Sequence, residues 1–223
     1  MRTYKDFIRA SSNYLSRADE DALSLHYDIT LGCWVWFDAE STDVETGIIS
    51  KWYDVGIQKS YVLYKDANNI IHFKVSNDGT AEYDVNNLGA GYKENQWFYV
   101  VGRFDPSHEL ALFVNGMWYI NDTSVPATVF NNSEDFEMGR YNRSNYLDGR
   151  ISQAFICEYS VPDVFICQMY YHAKALYMDM FSYANPCSSS SSSTSSSSSS
   201  SNSSSSSSSS SSTTSSSSSS AIP

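Results

Sequence analysis

The chain is 223 residues long, but 188–220 is serine broken only by Thr194, Asn202, Thr213 and Thr214, so the part able to fold ends near Cys187, the size of one ordinary domain. A formal net charge of −11, none of it in the serine tract, argues against a nucleic-acid partner, because phosphate binding needs clustered Lys and Arg. MRTYKDFIRASS lacks the apolar core of a secretion signal and no run of eighteen apolar residues occurs, so neither membrane insertion nor an export signal is expected.

Residues 1–6 read as an N-terminal arm and 7–178 as the folded unit. Within it, SYVLYK, IIHFKVS, WFYVVGRF and LALFVNG alternate apolar and polar or smaller residues, as strands with one face on a core do. Turn signals separate these runs at Asn77-Asp78-Gly79, Leu88-Gly89-Ala90-Gly91, Asp105-Pro106-Ser107 and Asn115-Gly116. Asn115-Gly116 is the strongest of them, since both residues tolerate the positive φ that a type I′ hairpin requires. The spacing predicts an all-β sandwich.

From Val161, VPDVFICQMYYHAKALYM reads as the one helix, with Pro162 in its first turn and Val164, Cys167 and Tyr171 on one face, closing an edge of the sandwich. Residues 179–187 form a connector, and 188–223 a polyserine linker with no apolar area to offset its chain entropy. The 36 residues after Cys187 reach roughly 33 Å as a random coil, which suits a tether to a larger assembly. The four cysteines show no C-x-x-C spacing. Cys33 and Cys157 read as buried thiols in strands, and Cys167 with Cys187 as a candidate bridge.

In this order, ASSNYLSR, DITLGCWVWF, GIISKW, NQWFYVVGRFD, LALFVNG and MGRYNRSNYLDGRIS, followed by the VPDVFICQMY helix, resemble the concanavalin A-like, laminin-G-type jelly roll in its short bacterial or phage variety. The resemblance covers roughly Phe7 to Met178. It implies an antiparallel two-sheet jelly-roll sandwich with a short C-terminal helix, a scaffold shared by lectins and glycoside hydrolases, so site residues must decide between them.

Laminarinase-type hydrolases of this superfamily carry Glu-x-Asp-x-Glu or Glu-x-Asp-x-x-Glu on a strand, with carboxylates as nucleophile and general acid. That pattern is absent. The acidic groups Asp38, Glu40, Asp43 and Glu45, and Glu134, Asp135 and Glu137, read as solvated loops. No Gly-x-Ser-x-Gly elbow occurs, and the four histidines, His26, His72, His108 and His172, are isolated in sequence. No catalytic residue and no enzymatic activity are expected.

Relatives often hold calcium between the loop after the Ser-Lys strand end and the loop before the late Gly-x-Ile strand. Here the first loop offers Asp54, while the second brings Arg140 and Arg143 with no carboxylate. Calcium prefers several hard oxygens with net negative charge. No cofactor is therefore expected there, and Asp28 and Asp148 are the oxygen donors left for calcium elsewhere.

The same loops suit a sugar better. Trp52 and Tyr53 offer ring faces for a pyranose, Asp54, Arg140, Asn142 and Asn145 offer donors and acceptors for hydroxyls, and Tyr141 and Tyr146 lie beside them. The expected function is a non-catalytic, lectin-like module that binds a glycan or cell-surface polysaccharide as part of a virion, a phage tail, or an extracellular or cell-surface protein. The alternatives are a structural module docking other virion or surface-protein subunits, and a glycoside hydrolase relative without its carboxylates.

Overall fold

A computed structural model describes residues 3–41, 43–88 and 93–177, all within the unit Met1–Ser189. In chain order the strands are β1 (Lys5–Phe7), β2 (Leu15–Arg17), β3 (Ile29–Phe37), β4 (Thr46–Trp52), β5 (Lys59–Lys65), β6 (Ile71–Val75) and β7 (Tyr83–Asn86). Then follow β8 (Gln96–Asp105), β9 (Glu109–Val114), β10 (Met117–Asn121), β11 (Phe136–Met138), β12 (Arg140–Tyr141), β13 (Asn145–Tyr146), β14 (Gly149–Cys157) and the helix α1 (Asp163–Tyr177).

The first sheet runs β1-β14-β3-β8-β9-β10 and the second β2-β11-β4-β5-β6-β7, with every strand pair antiparallel. This is the expected jelly-roll sandwich. Period two has the expected result. Leu31, Cys33, Val35, Phe98, Val100, Leu110 and Leu112 point inward and meet Ile49, Tyr61, Leu63, Phe73 and Val75 of the second sheet in one core. Each such side chain contributes about 1.5–3 kcal/mol by leaving water. At the β9–β10 turn Asn115 has φ 50° and Gly116 φ 100°, and Val114 pairs with Met117, as the Asn-Gly pair predicts.

Three expectations need correction. Lys5 and Asp6 are not an arm: they pair with Ile151 and Arg150 at the edge of the first sheet, because Phe7 buries its ring against Gly139. The helix does not close an edge. It covers the outer face of the first sheet, where the alternate residues Trp34, Tyr99, Val101 and Phe113 form an apolar surface. Its buried stripe is Ile166, Tyr170 and Ala173, with Cys167 beside it, whereas Val164 is exposed. Tyr170 stacks on Trp34 and Tyr99 with ring centroids 5.9 and 5.8 Å apart.

Arg103, buried on β8, fixes the start of the helix. Its guanidinium donates to Val161 O at 2.9 Å, pairs with Asp163 and Glu109, and lies 4.7 Å from the Trp118 ring centroid. Cys33 is a buried free thiol as expected, and burial pushes it well above the usual thiol range. Cys157 is also free but only half-buried. Cys167 is disulfide-bonded, and the expected partner Cys187 lies outside the described residues, as do the connector and the serine tract. Among the described residues no helix is long and apolar enough to cross a membrane.

Candidate functional site

On the second sheet the alternate residues that point away from the core are Trp52, Val62, Tyr64 and His72, and among the described residues no helix lies over this face. The short hairpin β12–β13 lies across β4 instead. Asn142 and Arg143 at its tip both have positive φ, 52° and 58°, and Ser144 N donates to Tyr141 O at 3.3 Å, which makes a type I′ turn with a non-glycine residue in each central position. Gly47 lets the hairpin sit this close: a Cβ there would lie 2.2 Å from the Arg140 carbonyl carbon and 2.3 Å from Tyr141 N. Ser50 Oγ ties the hairpin down by donating to Arg140 O at 2.9 Å.

Asp54, exposed at the end of β4, is the centre of the arrangement. Its Oδ1 accepts from Trp52 Nε1 at 2.8 Å and its Oδ2 from Tyr141 OH at 3.1 Å, while its backbone N–H donates to Asn142 Oδ1 at 3.1 Å. Lys59 Nζ lies 3.9 Å away and 5.7 Å from the Trp52 ring centroid. Burial, followed by the negative charge of Asp54, raises the Tyr141 hydroxyl well above its ordinary range, so it stays a donor to that carboxylate. Tyr53 is half-buried beside Asp54, with the Arg143 guanidinium 4.1 Å from its ring centroid.

The structure therefore gathers Trp52, Tyr53, Asp54, Tyr141 and Asn142 into one rim. It changes the part played by Trp52. With 3% of its surface accessible, this ring has no face free to stack on a sugar, and its contribution is to orient Asp54.

Arg140 and Tyr146 point to the opposite side of the hairpin. There Arg140 makes a bidentate pair with Glu137 and lies 3.5 Å from the centroid of Tyr14 and 5.9 Å from that of Tyr146. The Glu137 bond, opposed by burial, holds the guanidinium firmly charged. Asn145 faces the first group but is engaged with Glu45, Nδ2 to Oε2 at 2.6 Å.

Sequence reading missed the strip that continues this rim. Tyr141 packs on Tyr64 and Tyr64 on His72, with centroids 4.8 and 5.0 Å apart, so three rings lead from the hairpin across β5 to β6. His72 Nδ1 lies 2.9 Å from Asp84, and Lys59 and Lys74 hold Glu82 at 2.5 and 2.9 Å. Burial works against the Glu82 charge, but the two ammonium groups hold its carboxyl below the usual range. The signal was present in the sequence: Tyr64, His72, Lys74 and Asp84 are the outward positions of alternating strands.

The residues at the expected calcium position do not fit that ion. Both Asp54 oxygens and Asn142 Oδ1 already accept protein donors, and the hairpin brings the Arg143 guanidinium to this side. Among the described residues no cluster of three or more His, Cys, Asp or Glu could hold a metal.

A helix-backed jelly roll of two antiparallel sheets is a sandwich of the concanavalin A type. The chain belongs to the concanavalin A-like lectin/glucanases superfamily, whose sequence profile matches residues 9–162. No curated protein matches it. Among solved structures it is similar to the receptor binding domain of botulinum neurotoxin mosaic serotype C/D (12% identity, 77% of this chain, 45% of that chain, TM-score 0.59). It is also similar to the binding domain of Paraclostridial Mosquitocidal Protein 1 (11%, 76%, 45%, 0.57) and the binding domain of Botulinum Neurotoxin DC in complex with SialylT (15%, 70%, 38%, 0.51). The chain spans less than half of each, and at these identities the likeness is one of fold.

Proposed function

We propose that this jelly roll is a non-catalytic, lectin-like module that binds a glycan or cell-surface polysaccharide at the rim formed by residues 53–58 and the β12–β13 hairpin. One observation carries the reading: Asp54 is exposed, yet Trp52 Nε1 and Tyr141 OH hold it in place beside Tyr53 and Asn142. A fixed carboxylate keeps lone pairs free for sugar hydroxyls without losing side-chain entropy on binding. A half-buried tyrosine adds an apolar face. The fold neighbours are binding domains, one of them in a complex with SialylT, which supports the same class of role.

The carboxylates nearest the rim are engaged: Glu134 with Arg143, Glu137 with Arg140, and Glu45 with Asn145. This supports recognition over hydrolysis. The polyserine tract suits a tether, and a virion, phage-tail, extracellular or cell-surface setting belongs to this proposal. Glycan-array binding that is lost in Tyr53→Ala and Asn142→Ala supports the reading. Release of reducing ends from β-glucans overturns its non-catalytic part.

A second reading, a module that docks other virion or surface-protein subunits, is favoured by a groove of about 730 Å³ between β14 and α1. Phe155, Ile156, Tyr159, Phe165 and Met169 line it. Retained folding with no glycan bound on any array turns the account toward this reading.

A further inference from the structure

The charges around the rim are unevenly matched. Three cations stand on this side of the hairpin, and each has a carboxylate: Arg143 with Glu134, and Lys59 and Lys74 sharing Glu82, with Lys59 also 3.9 Å from Asp54. With Asp54 at the centre, Glu45 bonded to Asn145 and Asp84 against His72, five carboxylates stand against these three cations. Their field reaches the ring strip. Burial and then Asp54 raise Tyr141, and burial with Asp84 and Glu45 raises Tyr64 against the opposing effect of Lys74. Among the described residues these cations are all engaged, and a carboxylate-bearing ligand would meet a surplus of its own sign.

We infer that this rim selects glycans without acidic groups, excluding sialylated and uronate-bearing chains and favouring neutral sugars and those with a free amine. The inference rests on the rim as the binding site and adds its ligand class. The physical reason is that like charges across an interface weaken association and slow encounter, while an ammonium added opposite surplus carboxylates does the reverse. Both effects shrink as salt rises above the range where the Debye length is about 10 Å. Glu82 is the switch point, since both lysines are bonded to it.

The test is titration calorimetry on the full chain with two ligand pairs, each differing by one charged group. The pairs are lactose against 3′-sialyllactose, and a trimer of N-acetylglucosamine against the glucosamine trimer. The expected result is at least a fivefold loss of affinity on adding the sialyl carboxylate and a gain on exposing the amines, with both differences smaller at 1 M salt. Glu82→Gln, which frees Lys59 and Lys74, should narrow the lactose to sialyllactose gap by twofold or more. Equal or tighter binding of 3′-sialyllactose at low salt overturns the inference and leaves the rim reading standing. Folded protein that binds none of the four ligands, nor any sugar on an array, overturns both.

Discussion

Replacing Gly47 by alanine should lift the β12–β13 hairpin off the sheet while sparing the rest of the sandwich. The new Cβ would lie 2.2 Å from Arg140 C, 2.3 Å from Tyr141 N and 2.5 Å from Arg140 O, all of them backbone atoms that no rotamer change can move away. Ordinary contact begins near 3.4 Å, so the hairpin must rise by about 1.2 Å. That distance breaks the bond from Ser50 Oγ to Arg140 O and the bond from Tyr141 OH to Asp54, now 2.9 and 3.1 Å. Overpacking costs roughly 1–3 kcal/mol. The two lost bonds add about 1 kcal/mol each, for a total of about 3–5 kcal/mol. For a domain of this size that is a fall in Tm on the order of 10 °C. Differential scanning calorimetry reads the fall, and glycan titration should show binding lost with it. A variant within 1 °C of the parent, with unchanged binding, would refute this packing of hairpin on sheet.

Arg103→Met should cost about 3 kcal/mol in urea unfolding, because Glu109 and Asp163 lose their shared partner and the helix start loses its anchor; a loss below 1 kcal/mol counts against that anchor. Tyr141→Phe keeps the ring stack but frees one Asp54 oxygen, so glycan affinity should drop several-fold while Tm moves by no more than about 4 °C; unchanged affinity would show that Asp54 needs no such support. Lys65 is buried, and desolvation lowers its ammonium to about 8 from 10.5. The unfolded chain then holds more protons than the folded one between those values, so this group makes stability rise with pH across that window. Tm profiles of the parent and Lys65→Met between pH 7.5 and 10 should diverge accordingly, and parallel profiles would contradict the assignment.

The central strands were legible because their alternation is strict and their turns are chemically marked: β8 through β10 needed only period two and Asn115-Gly116. β1 was not legible. Three residues carry no periodicity, and the edge strand exists because Phe7 finds the space above Gly139. The helix was legible but its buried face was not, since that face is chosen by the surface of Trp34, Tyr99 and Phe113 on strands far away in sequence. At the rim, residue types pointed to the right loops. They did not show that the hairpin would bury Trp52 and turn Arg140 toward Glu137, because Arg143 at positive φ leaves no mark in sequence. The ring strip through Tyr64 and His72 was readable strand by strand, but only sheet order reveals that it runs on from Tyr141.

The most direct test of glycan recognition at this rim is a crystal of the domain soaked with a mixture of neutral and amino oligosaccharides. The account predicts sugar density between residues 53–58 and the β12–β13 hairpin, with a hydroxyl or amine within hydrogen-bond distance of an Asp54 carboxylate oxygen and a ring against Tyr53. Sugar bound only elsewhere, in the groove between β14 and α1 for instance, with the rim empty, would contradict it.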